Sequence, residues 1–302
     1  MTALLLGALG LTLSLGVPGV LAGARWPDRA PAAAVLLWQA VTLAGVLCAL
    51  GVVLAAPEEL VRAAGAGRPV AVGALVFALL VAAVIVIRLL VSLAGVSYRS
   101  RARRERHRTL VDLLDRAERH STVGAGAVGV AGLDLSGLRI LDGALPLAYC
   151  VPGRSPRVVL SGGALDVLDD RQVGAVIAHE QAHLRQRHEW VMESFTAFHR
   201  AVPPPLRSRA PLDAVRLLLE MVADDAAARR TGSAAVREAL GRLSDDDGGD
   251  GRRRRLDRLA KPRRRSTVLT VLVALSAVAL LVLPTVILVV PWLDRAVSNW
   301  PL

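Results

Sequence analysis

A chain of 302 residues with 53% hydrophobic side chains, 3% aromatics and a mean hydropathy of +0.46 is too apolar for an ordinary soluble domain and predicts several membrane spans. A formal net charge of +11 would suit nucleic acid, but the arginine clusters abut apolar runs. That placement points to membrane orientation and anionic headgroups, with the lipid bilayer rather than nucleic acid as direct partner.

The charge-free run from Met1 to Ala24 is long enough for one span. Ala22 to Ala24 imitates a signal-peptide cleavage site, but the basic region that precedes such a site is missing, so a span is expected. A second apolar run extends from Ala30 to Pro57 and a third from Pro69 to Val96. Arg88 interrupts the third, and no acidic residue in another span offers it a partner, so snorkelling or protrusion of the helix from the bilayer is expected. The fourth run, Ser266 to Leu293, contains Pro284.

Arg99, Arg101, Arg103, Arg104, Arg106 and Arg108 follow span three. Arg252 to Arg255, Arg258, Lys261 and Arg263 to Arg265 precede span four. By the positive-inside rule both clusters are cytoplasmic and both termini lie outside. The expected protein is a mainly α, multi-pass protein of the cell membrane, with three transmembrane helices in residues 1–97 and a fourth with a short tail in 266–302. Residues 98–265 form a cytosolic α+β segment between the third and fourth helices.

Within that segment Thr109 to Arg119 has an amphipathic helix pattern, and the Gly/Ala/Val-rich Val123 to Gly132 is a loop or a poor strand. Leu138–Leu141, Leu147–Val151 and Arg157–Leu160 are short apolar runs bounded by Gly and Pro, and predict a small sheet. An edge strand beside a metal helix could hold a peptide in extended form, and Arg157 to Ser161 is the candidate. Cys48 falls in span two and Cys150 in a predicted strand, which gives neither a disulfide framework nor metal-site spacing.

Asp169 and Gln172 have the spacing of a capping box, followed by Val173, Val176, Ile177 and Leu184 at helical intervals. The sequence A-H-E-Q-A-H from Ala178 to His183 therefore falls inside a helix. His179 and His183 project from one face about 6 Å apart along the axis, so two imidazole nitrogens can bind one zinc. Glu180, between them, is placed to act as general base toward an attacking water. A third ligand is then needed, and the best candidate is Glu220, which opens E-M-V-A-D on a second apolar-periodic helix ending near Gly232. Asp224 lies one turn further on the same face, placed to accept the outer N–H of a ligand imidazole.

Trp190, Val191, Phe195 and Phe198 continue the helical pattern as core, with membrane-surface contact as the alternative, until Pro203 to Pro205 end it. His199 is expected to be exposed, with proton donation or oxyanion stabilisation as the alternative. The acidic Ser244 to Gly251 lacks EF-hand spacing and is expected to be a linker.

H-E-Q-A-H followed by E-M-V-A-D between membrane spans resembles the gluzincin membrane metallopeptidases. The nearer likeness is to the BlaR/MecR type of regulatory peptidase, and the more distant one to the HtpX and CAAX-protease type. The resemblance is strongest from Leu145 to Gly232, across P-L-A-Y-C-V-P-G, R-V-V-L-S-G-G and both motif helices. It implies His179, His183 and Glu220 as zinc ligands and Glu180 as general base. The substrate it implies is a protein or peptide, with a small cytosolic winged-helix repressor as the regulatory case. Membrane-protein quality control and an inert zinc-binding scaffold are the alternatives. The chain departs from the pattern at His188, where relatives often have Asp.

Overall fold

The computed structural model describes residues 1–118, 137–153, 155–204, 207–243, 249–261 and 267–298. The run at 123–132 and most of the acidic run at 244–251 lie outside them. Among the described residues four helices are long and apolar enough to cross a membrane, at Thr2–Gly23, Pro31–Gly65, Pro69–Ala102 and Thr267–Pro291, the pattern of a multi-pass membrane protein. The chain divides into two compact units, one of residues 1–95, 195–215 and 265–302, the other of 96–194 and 216–264.

In the first unit, α1 (Thr2–Leu11), a π-helical turn (Thr12–Gly16) and α2 (Val17–Gly23) form the first span. They pack on α3 (Pro31–Gly65) through Ala3, Leu6, Leu13, Val41, Ala44, Cys48 and Val52. Small residues permit this approach: a Cβ on Gly10 would stand 2.9 Å from that of Cys48. The sequence pattern ends the second span at Pro57, but α3 runs on to Gly65, because good helix formers follow and Glu58 pairs with Arg62 at 3.1 Å one turn on. The fourth span, α11, covers Thr267–Ser298.

The third span is part of one helix, α4 (Pro69–Glu118). The separate amphipathic helix expected at 109–119 is its continuation, since the arginine-rich stretch between contains neither Gly nor Pro after Gly95 to break it. Arg88 finds a partner within the first unit. Its Nε donates to the Ala201 carbonyl at 2.6 Å, and Ser92 Oγ donates to the Ala197 carbonyl at 2.8 Å. Both acceptors lie in the last turns of α7 (His188–Ala201), and the Ala201 carbonyl is among the last four, which lack intrahelical partners. Phe195 is buried and meets Trp38 of α3 edge-to-face, with centroids 6.2 Å apart. Trp190, by contrast, is exposed under the Arg187 guanidinium rather than in the core.

The second unit holds the three predicted strands, β1 (Leu138–Leu141), β2 (Ala148–Val151) and β3 (Arg157–Ser161). Their order is β1-β3-β2, with β3 parallel to β1 and antiparallel to β2. The candidate edge strand Arg157–Ser161 is therefore the centre of the sheet, with its backbone groups paired on both sides. β2 is an edge. Alternation sends Leu138, Ile140, Ala148 and Leu160 to a core shared with Val173, Val176 and Ile177 of α6 (Asp170–Arg185). Val151 and Val159 are buried on the opposite face.

β3 leads into the short α5 (Gly162–Val167), capped by Ser161, whose Oγ accepts from the Ala164 and Leu147 amides and donates to the Leu145 carbonyl. α8 (Ala210–Thr231) ends at Gly232, which starts α9 (Ser233–Arg242), and α10 (Asp250–Ala260) follows. Alanines line the contacts of α6 with these helices: Ala175, Ala178, Ala227 and Ala235 in one cluster, Ala182, Ala223 and Ala226 in another.

Gly232 has φ 88° and ψ 147°, a region essentially reserved for glycine, and open space around its missing Cβ. Gly232→Ala is therefore expected to lose about 1–3 kcal/mol through backbone strain alone. Thermal denaturation of the detergent-solubilised protein checks this, with an unchanged Tm as the contrary result.

Candidate metal centre

α6 begins with the predicted capping box. Asp169 Oδ1 accepts from the Gln172 amide at 3.0 Å, and Gln172 Oε1 accepts from the Asp169 amide at 3.2 Å. That start fixes the helical phase, so Val173, Val176 and Ile177 face the sheet while His179 and His183 face α8. The two Nε2 atoms are 3.1 Å apart. Glu220 of α8 completes a triangle, with Oε2 3.4 Å from His179 Nε2 and Oε1 3.5 Å from His183 Nε2. Tetrahedral zinc with bonds of about 2.0–2.1 Å spans donor pairs about 3.3–3.4 Å apart. These residues form a group whose ligand atoms could hold one metal ion. Two nitrogens and a carboxylate suit zinc and leave one tetrahedral position open.

Asp224, one turn after Glu220, is 1% exposed, and its Oδ1 lies 3.1 Å from His179 Nδ1. The spacing in sequence placed it near a ligand imidazole, and the structure identifies which. No spacing or motif marks the second partner of Asp224. Arg255 of α10 grips it with Nε to Oδ2 and Nη2 to Oδ1, both at 2.8 Å, while its Nη1 is 3.1 Å from Glu220 Oε2. Arg258, one turn on, donates to both carboxylate oxygens of Asp225 through Nη1 and Nη2. Two of the arginines that mark the membrane flank therefore point into the second unit. A run of consecutive arginines conceals this, because only the pitch of α10 decides which of them face α8.

The charges close. Glu180, Glu220 and Asp224 bring three negative charges into a small, largely buried space. A divalent ion with Arg255 offsets all three. Burial would raise the pKa of Asp224, but the hydrogen bonds and charges of Arg255 and His179 hold it at about 2. Glu220 is likewise held at about 2 against burial by His179, His183 and Arg255. Burial lowers His183 and His188 to about 4. It also works against the charged form of His179, but there Asp224 and Glu220 win and raise the pKa to about 10. Glu180 is raised chiefly by burial. Its carboxylate accepts a hydrogen bond from the thiol of Cys150 on β2, which burial and that carboxylate together push upward. His199 belongs to the other unit, where Nδ1 faces the Ser208 carbonyl at 3.0 Å.

Residues 116–202 match the model of peptidase family M48. The matched stretch takes in β1 to β3, the metal helix and α7, and supports a zinc metallopeptidase. Glu220, Asp224 and Arg255 lie beyond it, so their membership of the site rests on the geometry above. No curated protein and no solved structure matches the chain. In the second unit His179, Glu180, His183, Glu220 and Asp224, all marked by motif spacing, converge. Arg255 and Cys150 join them without having been selected, and His188 lies against His183.

Two predictions follow from the charges. With its pKa at about 10, metal-free His179 is protonated at pH 7, and a metal ion on Nε2 must displace that proton while Asp224 retains the one on Nδ1. Zinc uptake at pH 7 is therefore expected to release about one proton per ion. Calorimetry in buffers of different ionisation enthalpy measures it, and uptake with no proton release would contradict this charge state. Arg255→Ala strands a buried carboxylate and is expected to cost about 3–5 kcal/mol. Adding Asp224→Asn should recover part of that loss in denaturation experiments, whereas strictly additive losses would show that the pair is not coupled.

Proposed function

We propose that the protein is a membrane-embedded zinc endopeptidase in which His179, His183 and Glu220 hold the metal and Glu180 is the general base. The observation that carries this reading is the triangle of ligand atoms on α6 and α8, with Glu180 beside it and a fourth tetrahedral position left open. A purely structural zinc closes that position and has no use for a base between its ligands, which argues against an inert scaffold. Bound zinc supplies Lewis-acid polarisation of the scissile carbonyl and acidifies water.

The chain's own groups then do the proton work. Burial raises the affinity of Glu180 for a proton, as suits a group that takes one from the attacking water and returns it to the leaving amine. Hydroxide adds to the carbonyl carbon, the C–N bond breaks, and the nitrogen leaves with the returned proton. Asp224 holds the His179 ring through Nδ1, and Arg255 holds Asp224. β2 replaces the central β3 as the strand that aligns an extended substrate, since it is an edge and carries Cys150 against Glu180.

In this reading the site faces the cytosol, supported by the arginine clusters that flank the unit. The substrate is a small regulatory protein of the winged-helix repressor kind, supported by the likeness around H-E-Q-A-H and E-M-V-A-D. A basic DNA-binding face would be repelled by the arginines, so approach through a more acidic dimerisation region is expected.

Glu180→Gln should keep about one zinc per chain and lose peptidase activity. Comparing new protein N-termini and transcripts in cells carrying wild-type or Glu180→Gln enzyme tests the whole reading. One shortened regulator and a narrow set of altered transcripts are expected. Full activity in the variant would refute the mechanism, and a broad build-up of membrane-protein fragments without an early transcript change would favour quality control. Sidedness is tested by single cysteines in a background without Cys48 and Cys150. One at Ser121 should resist a membrane-impermeant thiol reagent in intact cells and one at Ser298 should react, and the reverse pattern would invert the topology.

A further inference from the structure

The second histidine of the motif has a partner of a different kind from the first. α6 stops at Arg185, and the chain turns through Gln186 and Arg187 into α7, with Arg187 at φ 51°. An L-residue in this left-handed region makes the reversal short, and it brings His188 back over the last turn of the metal helix. His188 is 5% exposed. Its ring stands edge-on to that of His183, with centroids 4.7 Å apart, and the two Nδ1 atoms are 2.9 Å apart. On its other side His188 Nε2 is 3.3 Å from Gln186 Oε1.

Two imidazole nitrogens at 2.9 Å form a hydrogen bond only when one carries a proton and the other a lone pair. His183 Nε2 faces His179 Nε2 and Glu220, the side on which a metal would lie, and must present its lone pair there. The proton of neutral His183 is then on Nδ1, and it donates to His188 Nδ1. His188 must carry its own proton on Nε2, where Gln186 Oε1 accepts it. Every donor in this chain meets an acceptor. With the Gln186 amide reversed, the proton on each ring would move and Nε2–H of His183 would point at the metal position.

We propose that His188 and Gln186 are positioning residues that fix His183 in the tautomer whose Nε2 is free for the metal. His188 does for His183, as a neutral imidazole, what Asp224 does as a carboxylate for His179. The two ligand imidazoles are thus held by unequal partners. A carboxylate raises the basicity of its imidazole more than a neutral ring does. His179 is the stronger donor of the pair, and His183 is the one whose hold on the metal depends on hydrogen-bond direction. This inference rests on the reading of His183 as a zinc ligand.

The test uses the full-length protein in detergent micelles, with zinc as the only added ligand. Zinc affinity is measured by chelator competition, and ring tautomers by nitrogen NMR of the histidine-labelled protein. His188→Ala should lower zinc affinity about 10–100-fold. His188→Asn and His188→Asp, which keep an acceptor near His183 Nδ1, should recover most of it. In the zinc-loaded wild type, His183 and His188 should show protonated Nδ1 and protonated Nε2 respectively. That tautomer pair is a readout that mere support of the helix turn would not set.

His188 protonated on Nδ1, or His188→Ala binding zinc as tightly as wild type, would overturn the inference while leaving the peptidase reading intact. Wild-type protein that takes up no zinc would overturn both. If His188→Ala fails to fold, the tautomers of the wild type decide alone.

Discussion

The buried carboxylate of Asp224 is the interaction on which the site depends. It takes the Nδ1 side of His179 and two nitrogens of Arg255 at once, so it joins three helices, α6, α8 and α10, at a single residue with 1% exposure. A charge buried to that degree is tolerated only when paired and hydrogen-bonded, and each of its partners is also a neighbour of the metal position. Loss of any one disturbs ring orientation, ligand charge and helix packing together. The alanine contacts between α6 and α8 serve the same end, because larger side chains at Ala182 or Ala223 would hold His179 and Asp224 apart.

The site also couples differently to the two motif histidines. His179 is held from another helix, whereas His183 is held from the turn that follows its own. The first arrangement relies on tertiary packing and the second on local backbone geometry at Arg187. The same turn starts α7, whose far end accepts hydrogen bonds from Arg88 and Ser92 of the third span.

What was legible in the sequence was whatever repeats with a helical or strand period or sits at fixed spacing. The capping box at Asp169 and Gln172, the three short strands, the end of α8 at Gly232 and the convergence of His179, His183 and Glu220 all belong to that class. Strand order did not, because three short apolar runs look alike whether central or edge, and only the pairing of β3 with both neighbours puts it in the centre and leaves β1 and β2 outside. Arg255 and Arg258 were hidden for a related reason: in a continuous basic run, composition signals the membrane while the pitch of α10 selects the residues that turn inward. The partner of Arg88 is a backbone carbonyl at a helix end, which carries no side-chain signature.

The central claim is that two imidazoles and a carboxylate from α6 and α8 hold one zinc with a position left open. X-ray absorption at the zinc edge of the purified full-length protein tests it most directly. The account predicts a shell of light nitrogen and oxygen scatterers at about 2.0–2.1 Å, two of them with the outer scattering of imidazole rings. A sulfur scatterer at about 2.3 Å would contradict it, since Cys150 would then have taken the metal away from the histidine and glutamate site.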